Sequence, residues 1–537
     1  MLEILYPFSF LASLTGLITW FYVQGDSQKS RRMSQVFLGG FFVYLFSLAF
    51  SEGELSYKLL ILFRDLMVLG LVSQFFSFFK KHKMVFFTML AVLYGAFFFK
   101  YKQVMQDSFP QHIEKSVSEK ATVDPPQAPT TTDRKPWQTV DGLRLAKKGE
   151  LLVELKENQQ LETLKQLADQ YQLKYQRSFQ PADGQITDLD DYVLIDVPTE
   201  QLSKLSEIMQ ALYDSGLIDW AEENEWVQID DPKLSTAISR QKPDYQLNDP
   251  ALNRLWGFEA MKVDRLNQYL KAQNLQPKKK AAIFILDTGV DAQHEDLKAN
   301  YRSIRSRYDN DPVSHGTHCA GIAAAVSNNG KGIASFSYNN EFVTVSSIKV
   351  LRAFGGGTQS QIIKGMIEAA DKGADVISMS LGGPANRQRT RAYQQAVEYA
   401  NKKGAIVVVA AGNSNANASG YAPANTPGVI TVAAIDTSLN RASFSNRVQD
   451  LTRGIAAPGV SIYSTTPKNN YAAFNGTSMA TPYVAGLLGL LKSLDPSLDT
   501  DRAYKIIHET GKELESGRQT GKLIQPEAAV KLLMESI

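Results

Sequence analysis

AIFILDTGVD, residues 282–291, is the stretch on which the fold turns. Ala282 to Leu286 are apolar without interruption, and the run ends at Asp287, with Gly289 close behind. A short, continuous apolar run bounded by turn residues reads as a strand buried on both faces, which is the habit of parallel sheets. Outward from it, Val343–Val350, Val376–Met379 and Ala405–Ala410 are runs of the same kind. Amphipathic stretches of helical period, such as Gln361–Asp371 and Arg391–Lys403, separate them. From about Asn248 to Ile537 this alternation predicts a doubly wound α/β domain, a parallel sheet with helices on both faces. Sites in such sheets lie beyond the carboxyl ends of the strands, where Asp287 stands.

Three further segments carry chemistry-bearing residues. His315 opens SHGTHCAG (314–321), whose small residues Gly316, Cys319, Ala320 and Gly321 suit a tightly packed helix. Asn413 follows a strand in VVVAAGNS (407–414), and Ser478 stands in NGTSMATP (475–482), at the start of a further helix. Nucleophilic hydrolysis needs a hydroxyl, an imidazole, a carboxylate to orient the imidazole, and donors for an oxyanion. Taken singly, an Asp after a strand or a Ser before a helix is more often a cap.

In the order Asp, His, Asn, Ser, the four segments resemble the subtilisin superfamily, and the resemblance covers nearly all of the chain from Asn248 onward. It implies a serine endopeptidase with Asp287, His315 and Ser478 as catalytic triad. Asn413 and the Ser478 backbone N–H would form the oxyanion hole, and His318 would be structural. Ser380, Leu381 and Gly382 of MSLGG look like the edge against which substrates pair as an added strand. Leu351 to Gly357, with Gly356 and Gly357, looks like the facing segment. Gly382, Gly412 and Gly420 suggest a roomy, uncharged primary pocket suited to large apolar side chains. Cys319, placed as in the proteinase K-like branch, would lie beneath the imidazole. The resemblance implies no cofactor for catalysis. Asp296 in HEDL (294–297) stands where a family calcium ligand occurs, but the loop SNNGKGIAS (327–335) looks short, so a structural calcium stays open here.

Upstream, residues 148–230 read as strand, helix, strand, strand, helix, strand, with Leu151–Leu155 as the first strand, Tyr192–Val197 as a later one and Ile218–Val227 as the last. Thr199 reads as N-cap of the second helix. This is the order of a small α+β, ferredoxin-like fold. Placed before a protease and containing LDDYVLIDVP (189–198), it resembles the subtilisin propeptide, which would make it an intramolecular inhibitor. An unrelated spacer of the same topology is the alternative.

The first 103 residues carry four apolar runs, about 4–23, 33–50, 59–79 and 84–99, each near the ~20 residues a spanning helix needs. They predict an all-α, four-helix transmembrane region. Lys29, Arg31 and Arg32, and then Lys80, Lys81 and Lys83, fall in alternate gaps, whereas Glu52 and Glu54 mark the gap between. That asymmetry puts the basic gaps in the cytoplasm and the protease outside. Residues 104–147 and 231–247 read as linkers, and a self-inflicted cut is expected within Asp231–Asp249.

With 57 Lys+Arg against 55 Asp+Glu, the net charge of +2 gives no reason to expect nucleic acid as a partner. The single Cys319 excludes an intramolecular disulfide. The partners this reading implies are protein or peptide substrates, the chain's own propeptide domain and membrane lipid. Its alternatives are an uncleaved, tethered protease and a non-catalytic binding module of the same fold.

Overall fold

The computed structural model describes residues 13–14, 17–18, 27–49, 149–229, 233–240, 244–353, 355–385 and 390–537. The chain divides into two units, 1–128 and 129–537. In the first, helix α1 (Ser27–Ala49) covers most of the second apolar run. It begins earlier than that run, so the stretch bearing Lys29, Arg31 and Arg32 is helical and not a gap. Val36, Leu38, Phe42 and Val43 on α1 are exposed. Among the described residues no helix is long and apolar enough to cross a membrane. The runs 59–79 and 84–99, nearly all of 4–23, and the linker 104–147 lie outside the described residues.

The second unit opens with β1 (Glu150–Leu155), α2 (Lys165–Tyr171), β2 (Lys174–Arg177), β3 (Tyr192–Asp196), α3 (Leu205–Asp214) and β4 (Ile218–Glu223). The strands pair antiparallel in the order β2-β3-β1-β4. Side chains alternate between the faces of a strand, so this small sheet has two apolar faces of different destination. Leu151, Val153, Val193 and Ile195 pack with Ala168, Ile208 and Leu212 of its own helices. Leu152 and Tyr192, on the other face, join the core of the larger domain. Two sequence expectations fail here. Thr199 lies inside a 3-10 turn flanked by the extended Pro198, with no side-chain cap, and the α-helix begins only at Leu205. The last strand stops at Glu223: β5 (Trp226–Gln228) leaves the small sheet and pairs antiparallel with β9 (Gly356–Thr358) of the larger domain.

Beyond β5 comes β6 (Lys233–Ser235), in the stretch read as a linker. The core of the larger domain is built from β7 (Ala281–Asp287), α4 (His315–Ala324), β8 (Val343–Lys349), the short β9, α5 (Gln359–Asp371) and β10 (Val376–Met379). It continues through β11 (Gly383–Pro384), α6 (Arg391–Lys402), β12 (Ile406–Ala410), β13 (Tyr421–Ala422), β14 (Val429–Ile435) and β15 (Gly454–Pro458). The chain then forms a hairpin, β16 (Ile462–Thr466) and β17 (Asn470–Asn475), before α7 (Thr477–Leu494). The main sheet has the order β15-β14-β12-β10-β7-β8, and every pairing in it is parallel.

Alternation along β7 divides the core. Ile283 and Ile285 face a layer containing Ala320 of α4 and Leu487 of α7. Phe284 and Leu286 face a layer containing Ile363 of α5 and Tyr393 of α6. Helix α7 is buried along its whole length, consistent with its apolar composition on all sides. From β7 the chain moves outward to β8, then returns across β7 to β10 and continues away from it, so strand order reverses at β7. A crevice at the carboxyl ends of β7 and β10 follows from that reversal.

Candidate active site

Asp287 is the last residue of β7 and fully buried. Its Oδ1 accepts the Thr288 N–H at 2.7 Å, and its two oxygens lie 2.8 and 2.9 Å from Nδ1 of His315, the first residue of α4. An ionised carboxylate can only accept, so Nδ1 carries a proton and Nε2 is the basic nitrogen. The close approach of α4 to the strand end requires Gly316: a Cβ there would lie 2.1 Å from the Gly289 carbonyl oxygen.

His318, one turn along, faces elsewhere. Its ring stacks on Phe474 with centroids 4.3 Å apart, and Nε2 lies 3.0 Å from the Ala472 carbonyl oxygen. Burial pushes its pKa down to about 3, so it stays neutral. Cys319 is buried beneath the site. Its thiol donates to the Ser478 carbonyl at 3.4 Å, and Sγ lies within 4.8 Å of Asp287 and His315 ligand atoms. Burial holds the thiol well above its ordinary pKa, so it stays protonated.

Ser478 is the second residue of α7, where the helix dipole adds positive potential. Pro482, four residues on, has no N–H to offer the Ser478 carbonyl. That carbonyl instead accepts from Cys319 and, at 2.8 Å, from the Ser380 hydroxyl. The Ser478 hydroxyl donates to the Ser380 carbonyl at 3.3 Å. Asn413 is fixed by Thr477, whose N–H and Oγ1 both reach its side-chain oxygen at 2.9 Å. The Gly412 N–H donates to the same Thr477 hydroxyl, joining the loop after β12 to the start of α7. Sequence reasoning missed Thr477 and also Asn446. Buried Asn446 holds the Asn413 loop by accepting from Ser414 and Ala416 N–H and donating to the Ala411 carbonyl. Nothing local marks either residue, because their partners are distant in sequence.

Among the substrate-binding candidates, Ser380 lies beneath Ser478, and Leu381 and Gly382 lead from it into β11, which pairs with β13. Gly420 ends a 3-10 turn just before β13, and its carbonyl accepts from Ala385. Gly356 and Gly357 form β9 with Thr358, paired with Gln228, Val227 and Trp226 of the chain's own β5. The register continues as the Ile229 N–H donates to the Gly355 carbonyl at 3.0 Å. Gly356 makes room for this strand, since a Cβ there would lie 2.1 Å from the Trp226 ring. β6 pairs with β17, whose last residue, Asn475, is three before Ser478.

Asp296 is buried, but its surroundings do not fit a cation. Oδ1 accepts from Asn329 Nδ2 at 2.7 Å and Oδ2 from the Ile333 N–H at 2.8 Å. The Asn329 oxygen, the atom that could ligate calcium, accepts the Lys331 N–H at 2.8 Å, which fixes the amide with its nitrogen toward Asp296. Hydrogen-bond donors stand where a hard cation would need oxygens.

The fold, a doubly wound parallel sheet with a buried Asp–His pair at the carboxyl end of β7, narrows the class, and the family comparison defines it as that of serine hydrolases built on such a sheet. The Subtilase family (Peptidase_S8) matches residues 278–522. The chain is 41% identical over 286 residues to subtilisin DY of Bacillus licheniformis, covering 51% of this chain and 98% of that one. It is 45% identical over 228 residues to thermitase of Thermoactinomyces vulgaris, covering 42% and 78% respectively. The chain belongs to the subtilase family and is a serine endopeptidase.

Proposed function

We propose that Asp287, His315 and Ser478 are the triad of a membrane-anchored endopeptidase that cleaves proteins outside the cytoplasmic membrane. The observation that carries the catalytic reading is the grip of both Asp287 oxygens on His315 Nδ1, with Cys319 beside the pair and its thiol on the Ser478 carbonyl. Nε2 then takes the proton from the Ser478 hydroxyl as Oγ attacks the peptide carbonyl carbon. The Ser478 N–H and the Asn413 amide stabilise the oxyanion, and the imidazolium returns the proton to the leaving amine. Water then hydrolyses the acyl-enzyme by the same relay. The test is Ser478→Ala, which should abolish peptidase activity and leave the fold intact; casein cleavage at the native rate would refute the assignment.

Residues 150–223, with their β2-β3-β1-β4 order, serve in this reading as a ferredoxin-like propeptide that inhibits the enzyme in cis. Support comes from two strands of the upstream segment that pair with the larger domain, β5 along β9 and β6 along β17, which ends three residues before Ser478. Self-processing in the segment that joins β5 to β6, between Ile229 and Lys233, would free the enzyme. Anchoring through residues 1–103, with the basic stretches around Lys29–Arg32 and Lys80–Lys83 on the cytoplasmic side, rests on the apolar runs and their flanking charges.

A further inference from the structure

We infer that Asp311 is a positioning residue that holds the Asp287–His315 pair in register, an inference that rests on the triad reading above. Asp287 ends a strand and His315 begins a helix, and the first N–H groups of a helix have no partners within it. The N-cap Ser314 makes no side-chain capping bond and has left-handed backbone, φ 76°. A non-glycine residue persists in that conformation only where its surroundings hold it.

Asp311 provides the hold. Its Oδ1 accepts the Ser314 and Val313 N–H groups, each at 3.0 Å, and the Thr288 hydroxyl at 2.8 Å. Its Oδ2 accepts both the N–H and the hydroxyl of Thr317 at 2.8 Å. Thr288 completes the link from the strand side. Its N–H donates to Asp287, and its hydroxyl oxygen accepts the Gly316 N–H at 3.1 Å. Thus Thr288, the neighbour of Asp287, and Ser314 and Gly316, the two neighbours of His315, meet at one buried carboxylate or at the hydroxyl bound to it. Charge-assisted bonds of this kind are strong and directional, and a carboxylate suits a helix N-terminus. Asp311 touches neither imidazole nor nucleophile in these bonds, so its effect passes through backbone position.

The test compares Asp311→Asn, Thr288→Val, Ser478→Ala and the unaltered full chain, hydrolysing a chromogenic peptide anilide with Phe before the scissile bond. Asn has the same shape but turns one acceptor into a donor facing N–H and O–H groups. Asp311→Asn should lower kcat about 10²-fold, the scale of a small misplacement of catalytic groups, with KM little changed. The acid limb of kcat/KM, set by the imidazole, should move to lower pH because a buried negative charge near it is gone. Thr288→Val keeps the charge and removes the hydroxyl link, so it should lower kcat less and leave the limb in place. A purely structural Asp311 would lower Tm while leaving kcat of the folded fraction and the acid limb unchanged, and that result overturns the inference. Should Asp311→Asn fail to fold, Thr288→Val decides: wild-type kcat there overturns it. Hydrolysis by Ser478→Ala would remove the triad reading and this inference with it. An inactive Ser478→Ala beside a fully active Asp311→Asn would remove this inference alone.

Discussion

The two carboxylate oxygens of Asp287 share His315 Nδ1 almost equally, at 2.8 and 2.9 Å. This arrangement selects one tautomer and leaves Nε2 unprotonated, as the proposed base requires. Asp287→Asn presents an amide N–H to the ring and favours the opposite tautomer. We expect about a 10⁴-fold loss in kcat with Tm close to wild type, read by steady-state kinetics. Asn413→Ala should cost less, about 10²–10³-fold, the magnitude found on removing such a donor from a subtilisin. An Asp287→Asn enzyme within tenfold of wild type would exclude this role for the carboxylate.

Cys319 sits under the pair, with its thiol on the Ser478 carbonyl. Burial keeps the thiol protonated, so iodoacetamide, which needs a thiolate, should react slowly. A mercurial that does reach Sγ must displace groups touching His315 and Ser478. Partial inhibition is expected, and Cys319→Ala should abolish it. Equal inhibition in the mutant would place the sensitive site elsewhere.

If β5 and β6 flank the bond that the enzyme cuts, wild type should yield a C-terminal fragment beginning between Asp230 and Lys233, and Ser478→Ala should remain full length. N-terminal sequencing of the fragment decides the position. Recovery of intact, active wild type would exclude self-cleavage as the activation step. The sequence-based window of Asp231–Asp249 was wider because nothing in it marks Lys233–Ser235 as a strand; the pairing with β17 is a long-range contact.

Asp296 carries a pH signature. Burial raises its pKa from 3.8 to about 7, outweighing the lowering by the Ile333 and Asn329 hydrogen bonds. The folded protein therefore holds a proton that the unfolded chain releases. That contributes stability in full below about pH 4 and loses it as pH rises through 7, by at most about 4 kcal/mol. Thermal unfolding from pH 4 to 8 should show a downward slope that Asp296→Asn flattens. Because both oxygens already face N–H donors, a chelator should leave Tm unchanged at neutral pH. A Tm that falls with chelator and recovers with calcium would show that the Asn329 amide turns to admit the ion.

Local pattern alone determined the class of the larger domain. Apolar runs such as Ala282–Leu286 and Val376–Met379 became buried strands almost residue for residue, since a segment apolar on both faces has no stable place except between layers. The sites of Asp287, His315, Asn413 and Ser478 were legible for a related reason: each lies where a strand ends or a helix begins, and those ends are written in turn residues and small side chains. Tertiary structure decided the rest. Trp226–Gln228 could have closed the small sheet but gains partners in β9, where Gly356 leaves room for the Trp226 ring. Whether Asp296 meets oxygens or N–H groups depended on how the loop 327–335 folds back over it. Asp311 looked like one more acidic loop residue. Its five donors converge only once the β7 end and the α4 start are brought together, and no spacing within the chain foretells that meeting.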